Sequence, residues 1–136
     1  MNKRILIVDD DVSIVRFLSL RLQARNYNVL KAYDGSECVK IAIKEAPDLI
    51  LMDIKMPNGD GIWAFEKLLQ LDTTRNIPVI FMTAYPTTEI KAQLLKFGAK
   101  DCISKPFISV DFERTIAMTL ESLMSRRQNE EKNIIS

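Results

Sequence analysis

Short, wholly apolar runs alternate along the chain with longer segments in which apolar residues recur every three or four positions. Ile5-Leu6-Ile7-Val8, Leu49-Ile50-Leu51-Met52 and the run from Ile77 to Met82 are of the first kind. Continuous apolarity bounded by charged or turn residues predicts strands buried on both faces, as in a parallel sheet covered by helices. Two more mixed runs, Tyr27 to Ala32 and Asp101 to Ser104, predict edge strands. Ile14, Phe17, Leu18 and Leu22 follow the helical period, as do Val39, Ala42, Ile43 and Ala46, and then Ile62, Phe65, Leu68 and Leu69. Asp34 opens the second helix with Glu37 at capping-box spacing. A fourth helix begins at Thr87 or Thr88 and stops at Gly98, which suits a left-handed cap. Ser109 caps a last one carrying Phe112, Ile116, Leu120 and Leu123.

Strand and helix thus alternate five times with short connections, the signature of a single doubly wound α/β domain. Right-handed crossovers place helices on both faces. With the mixed strands at the edges, the order is 2-1-3-4-5, the flavodoxin-like arrangement. The domain is expected over residues 1–125, followed by a polar tail or linker at 126–136.

Composition narrows the chemistry. The 136 residues are 47% hydrophobic and 27% charged, as in an ordinary globular protein. No apolar run approaches a membrane span, and the first residues lack a signal peptide, so the expectation is a cytoplasmic protein with no membrane partner. A net charge of +1 gives no reason to expect direct nucleic-acid binding. Cys38 and Cys102 lack metal-ligand spacing and read as packed free thiols. The chain has no histidine. That excludes a Ser-His-Asp or Cys-His mechanism and a His-ligated zinc. Carboxylates, hydroxyls and lysines must carry whatever chemistry there is.

These groups collect at strand ends. Asp9, Asp10 and Asp11 follow the first strand, Asp53 ends the third, Thr83 the fourth, and Lys105 follows the fifth. In the order 2-1-3-4-5 the first and third strands are neighbours at the topological switch point, where open α/β sheets bind ligands. Carboxylates so close raise one another's pKa unless a cation compensates. Mg²⁺, which takes one or two carboxylates with waters and phosphate, is the fitting ion. Asp9, Asp10 and Asp53 then bring about three negative charges against about three positive ones from Mg²⁺ and Lys105. Asp11 reads as a helix cap and Trp63 as a packing residue.

Ile7-Val8-Asp9-Asp10, Asp53-Ile54-Lys55-Met56-Pro57 with Gly61, Met82-Thr83-Ala84, and Gly98-Ala99 leading to Lys105-Pro106-Phe107 occur in this order. On these residues the chain resembles the receiver domain of bacterial two-component response regulators, from about Lys3 to Leu123. The resemblance implies a phosphorylation-activated switch rather than an enzyme with turnover. Asp53 would be the phosphoacceptor, taking a phosphoryl group from the phosphohistidine of a sensor histidine kinase or a histidine phosphotransfer protein. Asp10, Asp53 and the backbone carbonyl of Lys55 would hold Mg²⁺, with Asp9 assisting through water. Thr83 and Lys105 would bind phosphoryl oxygens. The surface of the last helices would then change for a downstream effector or output domain. One departure stands out: receivers usually carry Tyr or Phe three residues before the lysine, where this chain has Cys102. Tyr85, two residues after Thr83, is placed to shield the acyl phosphate or to take over part of the switch.

Three other readings compete. Asp9-Asp10-Asp11 loosely resembles the nucleophile motif of haloacid-dehalogenase-type phosphatases, but Ser13 and the lack of a cap insertion count against it. A receiver-like module that no longer accepts phosphate would not need Asp53, Thr83 and Lys105 together. A flavin-binding protein shares the fold, yet no phosphate-cradling loop follows the first strand.

Overall fold

The computed structural model describes residues 2–84, 87–105 and 112–122. Residues 1–106 form one compact unit and 107–136 a second. The first unit contains β1 (Arg4–Val8), α1 (Val12–Gln23), β2 (Asn28–Ala32), α2 (Gly35–Glu45), β3 (Leu49–Asp53), α3 (Gly61–Leu69), β4 (Val79–Thr83), α4 (Thr88–Lys96) and β5 (Asp101–Ser104). In the second unit residues 112–122 are helical (α5), with Phe112, Ile116 and Leu120 buried at a spacing of four. The predicted cap Ser109, Leu123 and the tail lie outside the described residues.

All strand pairs are parallel and the order is β2-β1-β3-β4-β5, as the apolarity of the runs predicts. Every residue of β3 is buried, because it lies mid-sheet with covered faces. Leu6, Val8, Ile50, Met52, Val79, Phe81 and Cys102 form a core with Cys38 and Ala42 of α2, Ala64, Phe65 and Leu68 of α3, and Leu94 of α4. Phe65 and Phe81 meet edge to face at 5.4 Å between ring centroids. Ile5, Ile7, Leu49, Leu51, Ile80 and Met82 alternate with these residues toward the opposite face and are equally buried. On α1, Val15, Leu18 and Leu22 are buried.

Each helix of this unit starts on an oxygen that accepts from its first turn, which satisfies otherwise orphaned N–H groups. Asp11 accepts from Ser13 and Ile14, Asp34 from Glu37, Asp60 from Trp63, and Thr87 from Ile90. Asp11 is therefore the cap that the pattern indicates. The periodic faces are corrected in phase. Phe17, Ile43, Ile62 and Leu69 are exposed, whereas Val15, Cys38 and Ala64 are buried beside Leu18, Ala42 and Phe65, which the period does place inward. Ala46 is not an inner-face residue but the left-handed C-cap of α2, with φ 45°. Among the described residues no helix is long and apolar enough to cross a membrane.

The β3–α3 connection is tight. The Gly61 amide donates to the Ile54 carbonyl at 2.8 Å, and a Cβ on Gly61 would stand 2.1 Å from the Asp53 carbonyl oxygen. Backbone occupies that space, so a side chain there forces helix and strand apart. Gly98 differs: its φ is +105°, but nothing lies within 4 Å of an added Cβ. Gly61→Ala should therefore lower stability by about 2–4 kcal/mol, and Gly98→Ala, which meets backbone strain but no clash, by about 1–2 kcal/mol. Urea unfolding of both variants checks this, and an equal or reversed order would contradict so close an approach of α3 to β3.

Candidate functional site

Register brings the polar strand ends together. Val8 pairs with Met52, so Asp9 and Asp53, each one residue further, lie side by side on neighbouring strands. Asp53 pairs with Met82 and Thr83 with Ser104, which sets Thr83 and Lys105 on the next two strands at the same edge. The Lys105 amide donates to the Thr83 carbonyl at 2.8 Å and continues the ladder past β5.

The side chains form an ion cluster. Lys105 Nζ donates to Asp9 Oδ2 at 2.6 Å and lies 3.2 Å from Asp53 Oδ1. Asp9 is 1% exposed and Asp53 8%. The other Asp9 oxygen accepts from the Asp11 amide at 3.0 Å, and Asp53 Oδ1 accepts from the Ile54 amide at 2.9 Å. Asp10 is exposed, and carboxylate oxygens of Asp9, Asp10 and Asp53 all lie within 4.8 Å of one another. Three carboxylates against one ammonium leave an excess of negative charge. Their hard oxygen donors and spacing fit a divalent cation such as Mg²⁺.

The charge states follow from this crowding. Burial, and then the neighbouring Asp9, push the Asp53 carboxyl up to about 6, although Lys105 and the Ile54 amide pull the other way. Burial alone would lower the Lys105 ammonium. Its hydrogen bond to Asp9 and the charge of Asp53 overcome that and raise it, so it stays protonated. Burial pushes Cys38 up to about 12 and also raises Cys102, so both are packed thiols rather than nucleophiles.

The loop that carries Lys55 is braced from two sides. The Gly35 amide donates to the Gly59 carbonyl at 2.9 Å and Ser36 to Asn58 at 3.3 Å, which ties the start of α2 to it. The Trp63 ring lies where a Cβ on Gly59 would point, so Trp63 packs as expected, on this loop. Lys55 itself is exposed.

The geometry thus unites Asp9, Asp10, Asp53 and Lys105, with Thr83 at the adjacent strand end. Asp11 is outside the carboxylate cluster, and Tyr85 lies outside the described residues. The pattern missed two things. The ion pair of Lys105 with Asp9 joins residues 96 apart in the chain, and no local spacing announces it. A cavity of about 360 Å³ also lies beside Asp53, Thr83 and Lys105, lined by Ile62 of α3 and Ile90 and Leu94 of α4. Its wall joins residues of α3 and α4 with three strand ends, which no local pattern connects.

Comparison with known proteins agrees. Residues 5–117 match the family model described as the response regulator receiver domain. The chain is 41% identical over 110 residues to Response regulator PleD of Caulobacter vibrioides, a match covering 81% of this chain and 24% of that protein. It is 41% identical over 107 residues to the alkaline phosphatase synthesis transcriptional regulatory protein PhoP of Bacillus subtilis, covering 79% of this chain and 44% of that protein. The chain therefore spans about a quarter to a half of these relatives. A CheY-like receiver domain protein from Methanospirillum hungatei superposes with a TM-score of 0.84 at 31% identity, over 93% of this chain and 99% of that one. The CheX-CheY-BeF3-Mg+2 complex from Borrelia burgdorferi matches with a TM-score of 0.81 at 28% identity, over 86% of this chain and 88% of that one. With its fold, strand-end carboxylates and family match in agreement, this chain belongs to the receiver domains of two-component response regulators.

Proposed function

We propose that the chain is a phosphorylation-activated switch in which Asp53 accepts a phosphoryl group from the phosphohistidine of a sensor histidine kinase or a histidine phosphotransfer protein. The observation that carries this reading is Lys105 Nζ between Asp9 and the nearly buried Asp53, with Asp10 completing a three-carboxylate cluster. Asp10, Asp53 and the Lys55 carbonyl would hold Mg²⁺, with Asp9 acting through water. When bound, the ion neutralises carboxylate and phosphoryl oxygens. The Borrelia burgdorferi complex contains BeF3 and Mg²⁺ together, and a cation with a compact anion is what this cluster would accommodate.

The remaining steps belong to the chain's own groups. An oxygen of Asp53 attacks phosphorus, the bond to the histidine nitrogen breaks, and an aspartyl phosphate forms. Lys105 turns its ammonium from the Asp53 carboxylate to a phosphoryl oxygen, and the Thr83 hydroxyl donates to another. Little covalent work is asked of the protein, so positioning and charge neutralisation supply the rate. Asp9 is the poorer nucleophile, because it is 1% exposed and uses both oxygens on Lys105 and the Asp11 amide. That argues against the phosphatase-type reading. An effector or output domain would read the change at α4, β5 and the segments beyond. The domain would run over residues 1–125, with 126–136 as a linker or tail. Cys38 and Cys102, free and buried, suit a reducing cytoplasm.

Incubation with Mg²⁺ and acetyl phosphate should add one base-labile phosphoryl group, read by intact mass and mapped to Asp53. Asp53→Asn should abolish it, and Lys105→Met should slow it by at least about tenfold, the loss of one charge-stabilising contact. Label on Asp9, or repeated turnover, would contradict the assignment.

The buried carboxyl also sets a pH dependence. Its pKa is raised from 3.8 to about 6, so the folded state binds more protons than the unfolded state between these values. By linkage, its contribution favours folding below pH 4 and is lost as pH rises through 6. Two pK units correspond to on the order of 2–3 kcal/mol. In chelator, Asp53→Asn should thus exceed the wild type in urea stability at pH 7.5 by up to this amount. The gain should vanish toward pH 4 and shrink when Mg²⁺ is added. A gain independent of pH would show that the charge of Asp53 is not its cause.

A further inference from the structure

The cavity beside Asp53 is built differently from the ion cluster that it adjoins. Asp53, Thr83 and Lys105 line its sheet side at three neighbouring strand ends, while Ile62, Ile90 and Leu94 line the side formed by α3 and α4. Ile62 is 39% exposed and Leu94 only 3%, so the apolar wall runs from the protein surface into the core. At about 360 Å³ the cavity falls in the size range of small-molecule sites, which combine an apolar body with a few convergent polar groups.

We propose that this cavity is a subsite for the apolar tail of small-molecule phosphodonors, so that the protein selects acyl phosphates with chains of several carbons over acetyl phosphate. The inference rests on Asp53 being the phosphoacceptor. The donor's phosphoryl group meets Asp53, Thr83 and Lys105, and its hydrocarbon lies along Ile62, Ile90 and Leu94. An Asp53 oxygen forms the new bond to phosphorus as the bond to the acyl oxygen breaks. The fatty carboxylate leaves with that electron pair, and no proton or redox partner is required.

Two measurements with Mg²⁺ present test this. Alkylphosphonates carry the same head on a carbon that no carboxylate displaces, so calorimetry with the methyl to hexyl series reads binding alone. Affinity should rise about three- to fourfold per methylene, the value of a CH₂ removed from water. With donors below saturation, hexanoyl phosphate should label Asp53 at least about tenfold faster than acetyl phosphate. Ile62→Gln, at an exposed position, and Ile90→Gln should each flatten the phosphonate series and bring the donor ratio toward one. Labelling of Asp53 by acetyl phosphate without chain-length dependence in either series would overturn this proposal alone. Failure of every donor to label Asp53 would overturn the phosphoacceptor reading and this inference with it.

Discussion

The Lys105 ammonium, 2.6 Å from Asp9 and 3.2 Å from Asp53, is the interaction on which the site depends. It joins the ends of β1, β3 and β5, which are far apart in sequence. Without a cation there, two carboxylates this buried would repel each other at close range. With it, one negative charge of the pair is balanced and the other remains. Burial, and then the charge of Asp9, push Asp53 up to about 6, and the residual negative charge prepares the site for a divalent ion. The site is therefore held short of neutrality by its own protein groups, a condition suited to binding metal and phosphoryl group together.

The fold serves this balance directly. Parallel pairing in the order β2-β1-β3-β4-β5 makes the two acidic strands neighbours and puts Thr83 and Lys105 on the strands beyond. Full burial of β3 leaves its backbone little freedom. Gly61 then lets α3 begin against the end of that strand, with no room for a Cβ. The α2–loop hydrogen bonds of Gly35 and Ser36 and the Trp63 ring hold the loop that follows. The carboxyl end of the sheet is thus braced by backbone hydrogen bonds and by the Trp63 ring.

Much of this is legible in the chain because strand burial writes itself as continuous apolarity and strand ends as abrupt polar residues. Strand order follows from which runs are least apolar, and the clustering of Asp9, Asp10, Asp53, Thr83 and Lys105 follows from that order. Helix faces are less legible. A period of 3.6 places residues on a stripe without setting its centre, so it puts Phe17 and Ile43 inward although they are exposed. Ala46 carries the apolar side chain of a face residue but has the left-handed backbone of a cap. The Lys105–Asp9 pair and the cavity wall of Ile62, Ile90 and Leu94 arise only in three dimensions, from elements that no local pattern connects. Cys102 is buried in the same core as Leu94, which its place in a mixed edge run does not announce.

Which carboxylate takes the phosphoryl group, and what Lys105 then does, decide the mechanism. A crystal structure of the protein with Mg²⁺ and beryllofluoride, whose tetrahedral BeF3 unit mimics a phosphoryl group on a carboxylate, measures both at once. Beryllium is expected on an Asp53 oxygen, Mg²⁺ against Asp10, Asp53 and the Lys55 carbonyl, and fluorines in contact with Lys105 Nζ and the Thr83 hydroxyl. Beryllium on Asp9, or an adduct that leaves Lys105 bridging Asp9 and Asp53 as it does now, would contradict this mechanism.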